Sequence, residues 1–337
     1  MKIRKGFWTG ILASIGLIVL ILDAKTAISG AQEGLSLCIK TILPTLFPFC
    51  VLTKLINVSV VGKPIRFLRP VGKICGIPEG AESILALGFL GGYPVGAQGI
   101  SDANKSNALS ATNARRMLGF CNNAGPAFLF GILGGLFTEK NPLWCLWAIH
   151  IVSAVIVGFL LPDKSLSVCR LPKENGHSLS AIVEESIKTM ALVCGWIILF
   201  RILLCFCQRW FLWMLPATAQ VITAGFLELS NGCVMLYSIP TEGLRYIISS
   251  CVLGFGGICV AMQTFSIAKN IDTSLYFPGK VLQVCISFIM AWATQYILFS
   301  PEHRFVMPLW IPAGCISIIV LEYALLHSKK KVVAFAG

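Results

Sequence analysis

Apolar residues run along this chain in blocks of about 20, the length at which a helix crosses a hydrocarbon layer about 30 Å thick. Polar clusters separate the blocks, so the pattern predicts an all-α polytopic membrane protein with about eight transmembrane helices. They are expected near Phe7–Leu22, Leu37–Val60, Met117–Phe137, Leu143–Leu161, Ser186–Cys207, Leu244–Ala268, Lys280–Phe299 and Phe305–Leu326. Two further apolar stretches, 83–100 and 218–237, are interrupted by "GGYP" (Gly91–Pro94) and "ELSNG" (Glu228–Gly232). Both read as re-entrant hairpins, because glycine and proline break a helix where a spanning segment needs unbroken hydrogen bonding.

Basic residues set an orientation for these elements. With the N-terminus inside and each hairpin entering and leaving by one face, the cytoplasmic pieces hold Lys2, Arg4, Lys5, Lys63, Arg66, Arg69, Lys73, Lys105, Arg115, Arg116, Lys164, Arg170, Lys173, Lys269 and Lys329–Lys331. The outer pieces hold Lys25, Lys140, Arg209 and Arg304, with Arg245 near a segment end, and both termini are cytoplasmic. Lys40 and Lys54 are expected to reach the two membrane surfaces. A hydrophobic share of 56% and a charged share of 12% agree with a bilayer protein. The net charge of +12 follows from the loop bias without nucleic acid as a partner. A basic start followed by "AISGA" (Ala27–Ala31) fits a retained first helix and also a cleavable signal peptide. The cysteines lack C-x-x-C spacing and sit mostly in apolar segments, as small hydrophobes rather than a metal or disulfide framework.

Short matches recur in one order: "CIKT" at Cys38 with "SIKT" at Ser186, "GFL" at Gly88 and Gly225, "LGF" at Leu118 and Leu253. They predict a duplication, inverted by the topology above, with a substrate site near the midplane between broken helices. The expected organisation is an N-terminal helix (1–36), a first repeat (37–161) holding the hairpin 83–100, and a cytoplasmic connector (162–180). A second repeat (181–300) holds the hairpin 218–237, and a last helix with a basic tail (301–337) follows.

Broken helices expose backbone groups that bind solutes, N–H groups for anions and carbonyls for cations. Gly91, Gly92, Tyr93, Pro94, Gly96 and Gln98 are therefore candidate substrate-binding residues, with Tyr93 offering an aromatic face. Asn122, Asn123 and Gly125, followed by Pro126, would strain an ordinary spanning helix and suggest a kinked one beside a wet cavity. Ser230 and Asn231 are the counterparts in the second hairpin. Glu228 is a candidate for coupling to a cation or proton, and Arg201, inside "ILFRILL", for a substrate counter-charge or a partner of Glu228, with snorkelling or a structural ion pair as its equal alternative. His150 titrates in a useful range but equally suits a hydrogen-bonded packing role. Gly131 and Gly135 read as helix packing.

The segments "LPTLFPFCVLTKLI" (Leu43–Ile56), "GGYPVGAQ" (Gly91–Gln98), "FCNNAGPAFLFG" (Phe120–Gly131) and "GFLELSNG" (Gly225–Gly232) resemble the sporulation integral membrane proteins that carry a Gate, or nucleoside-recognition, domain. The resemblance runs over about Leu37–Phe299. It implies a design similar to concentrative nucleoside transporters, and a protein of the outer forespore membrane that moves dipicolinic acid during sporulation. It transfers no mapped substrate site. Iron-transport relatives of that domain carry a GTPase, whereas this chain has no G-x-x-x-x-G-K-[ST]. A planar dicarboxylate would use the amides and aromatic face named above. A nucleoside or other small solute is the alternative cargo, and a non-transporting spore-envelope assembly protein the alternative role. No catalytic residue, cofactor or metal is expected. A small-molecule solute and the bilayer are the expected partners, with a proton or sodium ion as candidate coupling ion and a homo-oligomer left open.

Overall fold

A computed structural model describes residues 2–60, 63–164, 169 and 178–335, and every regular element among them is helical. The N-terminal elements are α1 (Lys2–Leu22), α2 (Ala24–Leu37) and α3 (Leu43–Val60), the last two joined by a π-turn at Cys38–Ile42. Then come α4 (Arg69–Cys75), α5 (Glu82–Gly91), α6 (Val95–Lys105), α7 (Ala111–Leu118), α8 (Pro126–Leu133) and α9 (Asn141–Leu160). The later part comprises α10 (Leu179–Trp210), α11 (Ala217–Leu227), α12 (Leu229–Met235), α13 (Glu242–Phe255), α14 (Gly257–Ile267), α15 (Tyr276–Leu298) and α16 (Trp310–Phe335). The connector expected at 162–180 lies mostly outside the described residues, as do Arg170 and Lys173.

Six segments among the described residues are long and apolar enough to cross a membrane: Ala24–Ile56, Asn141–Leu160, Leu179–Trp210, Glu242–Ile267, Tyr276–Leu298 and Trp310–Ser328. The expected eight are not reached. The segment 117–137 is not one helix, because α7 ends at Leu118 and α8 begins at Pro126; Asn122, Asn123 and Gly125 favour extended backbone there. In α1 the apolar stretch is the shorter Ala13–Leu22. Large apolar side chains such as Ile297, Val306, Leu309 and Trp310 face outward, while Asn122, Asn123, Thr264, Lys280 and Gln283 are buried. That polarity, apolar outside and polar inside, suits a lipid surround.

The order of elements repeats along the chain. A long helix (α3, α10) is followed by two short helices meeting at an interruption (α5 and α6, α11 and α12), a second interrupted pair (α7 and α8, α13 and α14) and a long helix (α9, α15). The matched triplets fall in equivalent places: "GFL" closes α5 and α11, and "LGF" lies at the ends of α7 and α13. The two leading helices pack against each other. Gly30 lies against Ile202, Gly34 against Ile198, Cys38 against Cys194 and Lys54 against Glu185, so α2–α3 and α10 run antiparallel. A Cβ on Gly30 or Gly34 would stand 2.8 or 2.9 Å from a Cα of α10, so the small residues around "AISGA" make a close helix contact. Gly131 does not, since a Cβ there would meet only Thr45, at 3.9 Å; Gly135 lies beyond the end of α8 at Leu133, where a Cβ would stand 3.2 Å from the Tyr237 hydroxyl.

Arg116, counted above among the residues of the cytoplasmic pieces, is 1% exposed. Its guanidinium donates to the carbonyls of Gly76 at 3.2 Å, Leu161 at 3.4 Å and Gly158, and lies over the Phe120 ring. It thereby ties α7 to the ends of α4 and α9. Arg116→Ala strands these buried carbonyls and is expected to cost about 3 kcal/mol, read as a lowered thermal midpoint in detergent. Lys54, near the end of its helix, is 8% exposed and bonded to Glu185 at 3.1 Å.

Candidate functional site

The first interruption arises locally. Gly92 takes φ +74, a value L side chains rarely adopt, and α6 restarts after Pro94. The helices on either side fold back, and α7–α8 threads its own interruption against them. A Cβ on Gly88 or Gly96 would stand 2.0 or 2.2 Å from the Cys121 carbonyl, and one on Gly92 would stand 2.6 Å from the Gly125 nitrogen. Glycine is therefore required on both sides of a backbone-to-backbone crossing. Gly91 has somewhat more room, facing Thr53 and Val95 side chains.

The second half makes a similar crossing. α11 and α12 fold back with Gly225 against Gly232, where a Cβ would meet a Cα at 2.2 Å. Between them Glu228 caps α12. Its carboxylate accepts from the Ser230 N–H at 3.0 Å, the Asn231 N–H at 2.7 Å and the Asn231 side-chain amide at 2.6 Å. The neighbouring interruption, at Gly256 and Gly257 with φ +80 and +83, separates α13 from α14 within a stretch expected to be one span. Gly257 lies against Leu229 and the Gly225 carbonyl.

Tyr93 joins the halves, since its hydroxyl fills the space a Cβ on Gly256 would need. The same hydroxyl lies 3.3 Å from the ammonium of Lys280 on α15, which is 0% exposed. Lys280 Nζ also reaches the Asn122 carbonyl at 2.8 Å, Asn123 Oδ1 at 3.3 Å and Gln283 Oε1 at 3.0 Å. Asn122 bridges further: its Oδ1 accepts from the Ala97 N–H and its amide donates to Thr264 Oγ1 at 2.8 Å. Asn123 donates to the Phe120 carbonyl and accepts from Gln283 at 3.0 Å. His150 serves as a cap, its Nε2 accepting from the Ala124 N–H at 3.0 Å, which corresponds to the packing role. The free backbone groups of the α7–α8 interruption are thus met by side chains of α9 and α15, as membrane depth demands.

A small, partly open cavity lies where the halves meet. Tyr93, Ala124 and Gly125 line it from one half, and Glu228, Ser230 and Gln263 from the other. A second small cavity takes Gln98, Asp102 and Lys54. Gln98 therefore leaves the central group and bonds Asp102 at 2.9 Å. Asn231 turns its amide to Glu228. Arg201 is neither beside Glu228 nor in either cavity; it pairs with Glu33 of α2, with Nε to Oε2 at 3.0 Å. Residues that sequence reasoning missed are Lys280, Gln283, Thr264 and Gln263. A lysine at the start of an expected span, followed one turn later by glutamine, was the available signal.

A curated relative is the sporulation integral membrane protein YlbJ of Bacillus subtilis (strain 168). It is 24% identical over 84% of this chain and 81% of its own length. No protein-family model matches the chain, and no solved structure matches it significantly. The apolar helices and this likeness support a multi-pass integral membrane protein.

Proposed function

We propose that the chain transports a small anionic heteroaromatic solute, with dipicolinic acid as the first candidate, across the outer forespore membrane during sporulation. The observation that carries this reading is the meeting of three helix interruptions, at Tyr93, at Ala124–Gly125 and at Glu228–Ser230, around one cavity, with the fourth, at Gly256–Gly257, packed behind Tyr93 and Leu229. Interrupted backbone at membrane depth is tolerated where it is buried in protein or lines a watery path, and paired interruptions at a repeat interface are where secondary transporters hold their substrate. The repeated element order and the antiparallel packing of α2–α3 against α10 support an inverted repeat with re-entrant hairpins at α5–α6 and α11–α12. Rocking of one half against the other would then expose the cavity to either side. The basic loops support cytoplasmic termini, and the sporulation relative supports the compartment. No catalysis or nucleic-acid binding enters this reading.

The test is uptake into liposomes holding only the purified protein, with dipicolinate and uridine as parallel solutes under an imposed proton or sodium gradient. Saturable dipicolinate uptake is expected. Uridine uptake alone would move the cargo to nucleosides. No flux of either, from folded protein, would overturn the transporter reading in favour of envelope assembly.

A further inference from the structure

Among the described residues, Lys280 is the one lysine or arginine at the junction of the interruptions, and its surroundings are unusual. Its four partners, the Tyr93 hydroxyl, the Asn122 carbonyl, Asn123 Oδ1 and Gln283 Oε1, are all neutral. Among the described residues no carboxylate lies within ion-pair distance. Glu228, the other charge at this junction, is engaged by the N–H groups of Ser230 and Asn231. A buried ammonium without a counter-charge is destabilising, since neutral acceptors recover only part of the hydration it has lost. If the Asn122 carbonyl merely needed a donor, a neutral amide would serve at lower cost.

We infer that Lys280 recognises the negative charge of the solute, an organic carboxylate taking the place of the Tyr93 hydroxyl at Nζ. The inference rests on the central-site reading above and adds to it the residue that selects an anion. Tyr93 is the point of entry because it alone among the four partners lines the cavity, and its contact is among the longest, at 3.3 Å. Its ring centroid lies 5.4 Å from Nζ, and rotation of the side chain would carry ring and hydroxyl off the cation together, opening Nζ to the cavity. An arriving carboxylate meets a cation already stripped of water, which is why one such contact can dominate selectivity.

The experiment uses the full chain in lipid nanodiscs, with pyridine-2,6-dicarboxylate and its uncharged dicarboxamide as probes, measured by calorimetry on wild type, K280Q and K280R. Wild type is expected to prefer the dicarboxylate. K280Q should weaken dicarboxylate binding by roughly 100-fold and leave the dicarboxamide within about threefold, while K280R stays within about tenfold of wild type. The ligand-free thermal midpoint separates recognition from scaffolding. Removal of an uncompensated buried charge leaves K280Q at least as stable as wild type, whereas a lysine that merely held the interruption together would lower the midpoint on replacement. Equal dicarboxylate binding by K280Q, or a wild type indifferent to probe charge, overturns the inference and leaves the central site intact. Absence of binding by either probe to wild type overturns both. Should K280Q fail to fold, that failure itself favours the scaffold and overturns the inference, unless wild type discriminates by charge and K280R preserves the discrimination.

Discussion

Gly92→Val is expected to abolish uptake and to lower stability by about 2–4 kcal/mol, from a strained backbone and a clash that cannot relax. Gly92 holds φ +74, and the atom its Cβ would strike, the Gly125 nitrogen at 2.6 Å, belongs to the backbone of a second interruption. A flexible side chain could move aside, whereas here the α5–α6 and α7–α8 segments would have to separate. That separation would also displace Tyr93 and Asn122, which hold Lys280. Gly125→Ala attacks the same crossing from the other side, with a Cβ 2.9 Å from the Gly92 nitrogen, so the double variant should cost less than the sum of the singles. Gly131→Ala, which has room, is the control and should behave as wild type. Thermal midpoints together with liposome uptake provide the check; a Gly92→Val protein with wild-type values for both would mean that this crossing does not order the cavity.

The contrast between these glycines also marks what was legible in the sequence. The interruptions at Gly92, at Asn122–Gly125 and at Glu228 were readable because glycine, proline, asparagine and a capping acid act on the backbone within a few residues of themselves. The interruption at Gly256–Gly257 was missed, since two glycines in an otherwise apolar run are equally compatible with close helix packing. Partners distant in the chain were beyond local reasoning. Arg201, set in an apolar block, suited a counter-charge and a structural ion pair equally, and its partner Glu33 could not be named because it belongs to the helix that α10 packs against. Lys280 sat at the edge of an expected span and counted as a boundary residue. Its meaning comes from Asn122 and Asn123, which reach it only after the chain has folded back on itself. The same limit applies to Arg116, whose carbonyl partners lie at the ends of two separate helices, α4 and α9.

Glu228→Gln is expected to remove the dependence of uptake on an imposed proton or sodium gradient, with roughly a tenfold or greater loss of gradient-driven flux, while Glu228→Ala should also destabilise the fold. The two differ because the side chain has two tasks. As a cap it accepts three N–H bonds with its two oxygens, and alanine leaves all three donors unmet, at a cost of about 1–3 kcal/mol. Glutamine keeps one acceptor oxygen and occupies the same volume, so α12 stays in place with a weakened cap. What glutamine lacks is the negative charge, and Glu228 carries that charge to the wall of the central cavity without a basic partner among the described residues. A proton or sodium ion entering that cavity would find in Glu228 the group able to neutralise it, close to an interruption that the proposed rocking would move. Coupling therefore follows the charge, and folding follows the hydrogen bonds. Gradient-driven uptake by Glu228→Gln equal to that of wild type would place the coupling group elsewhere, with Asp102 of the second cavity the next residue to replace.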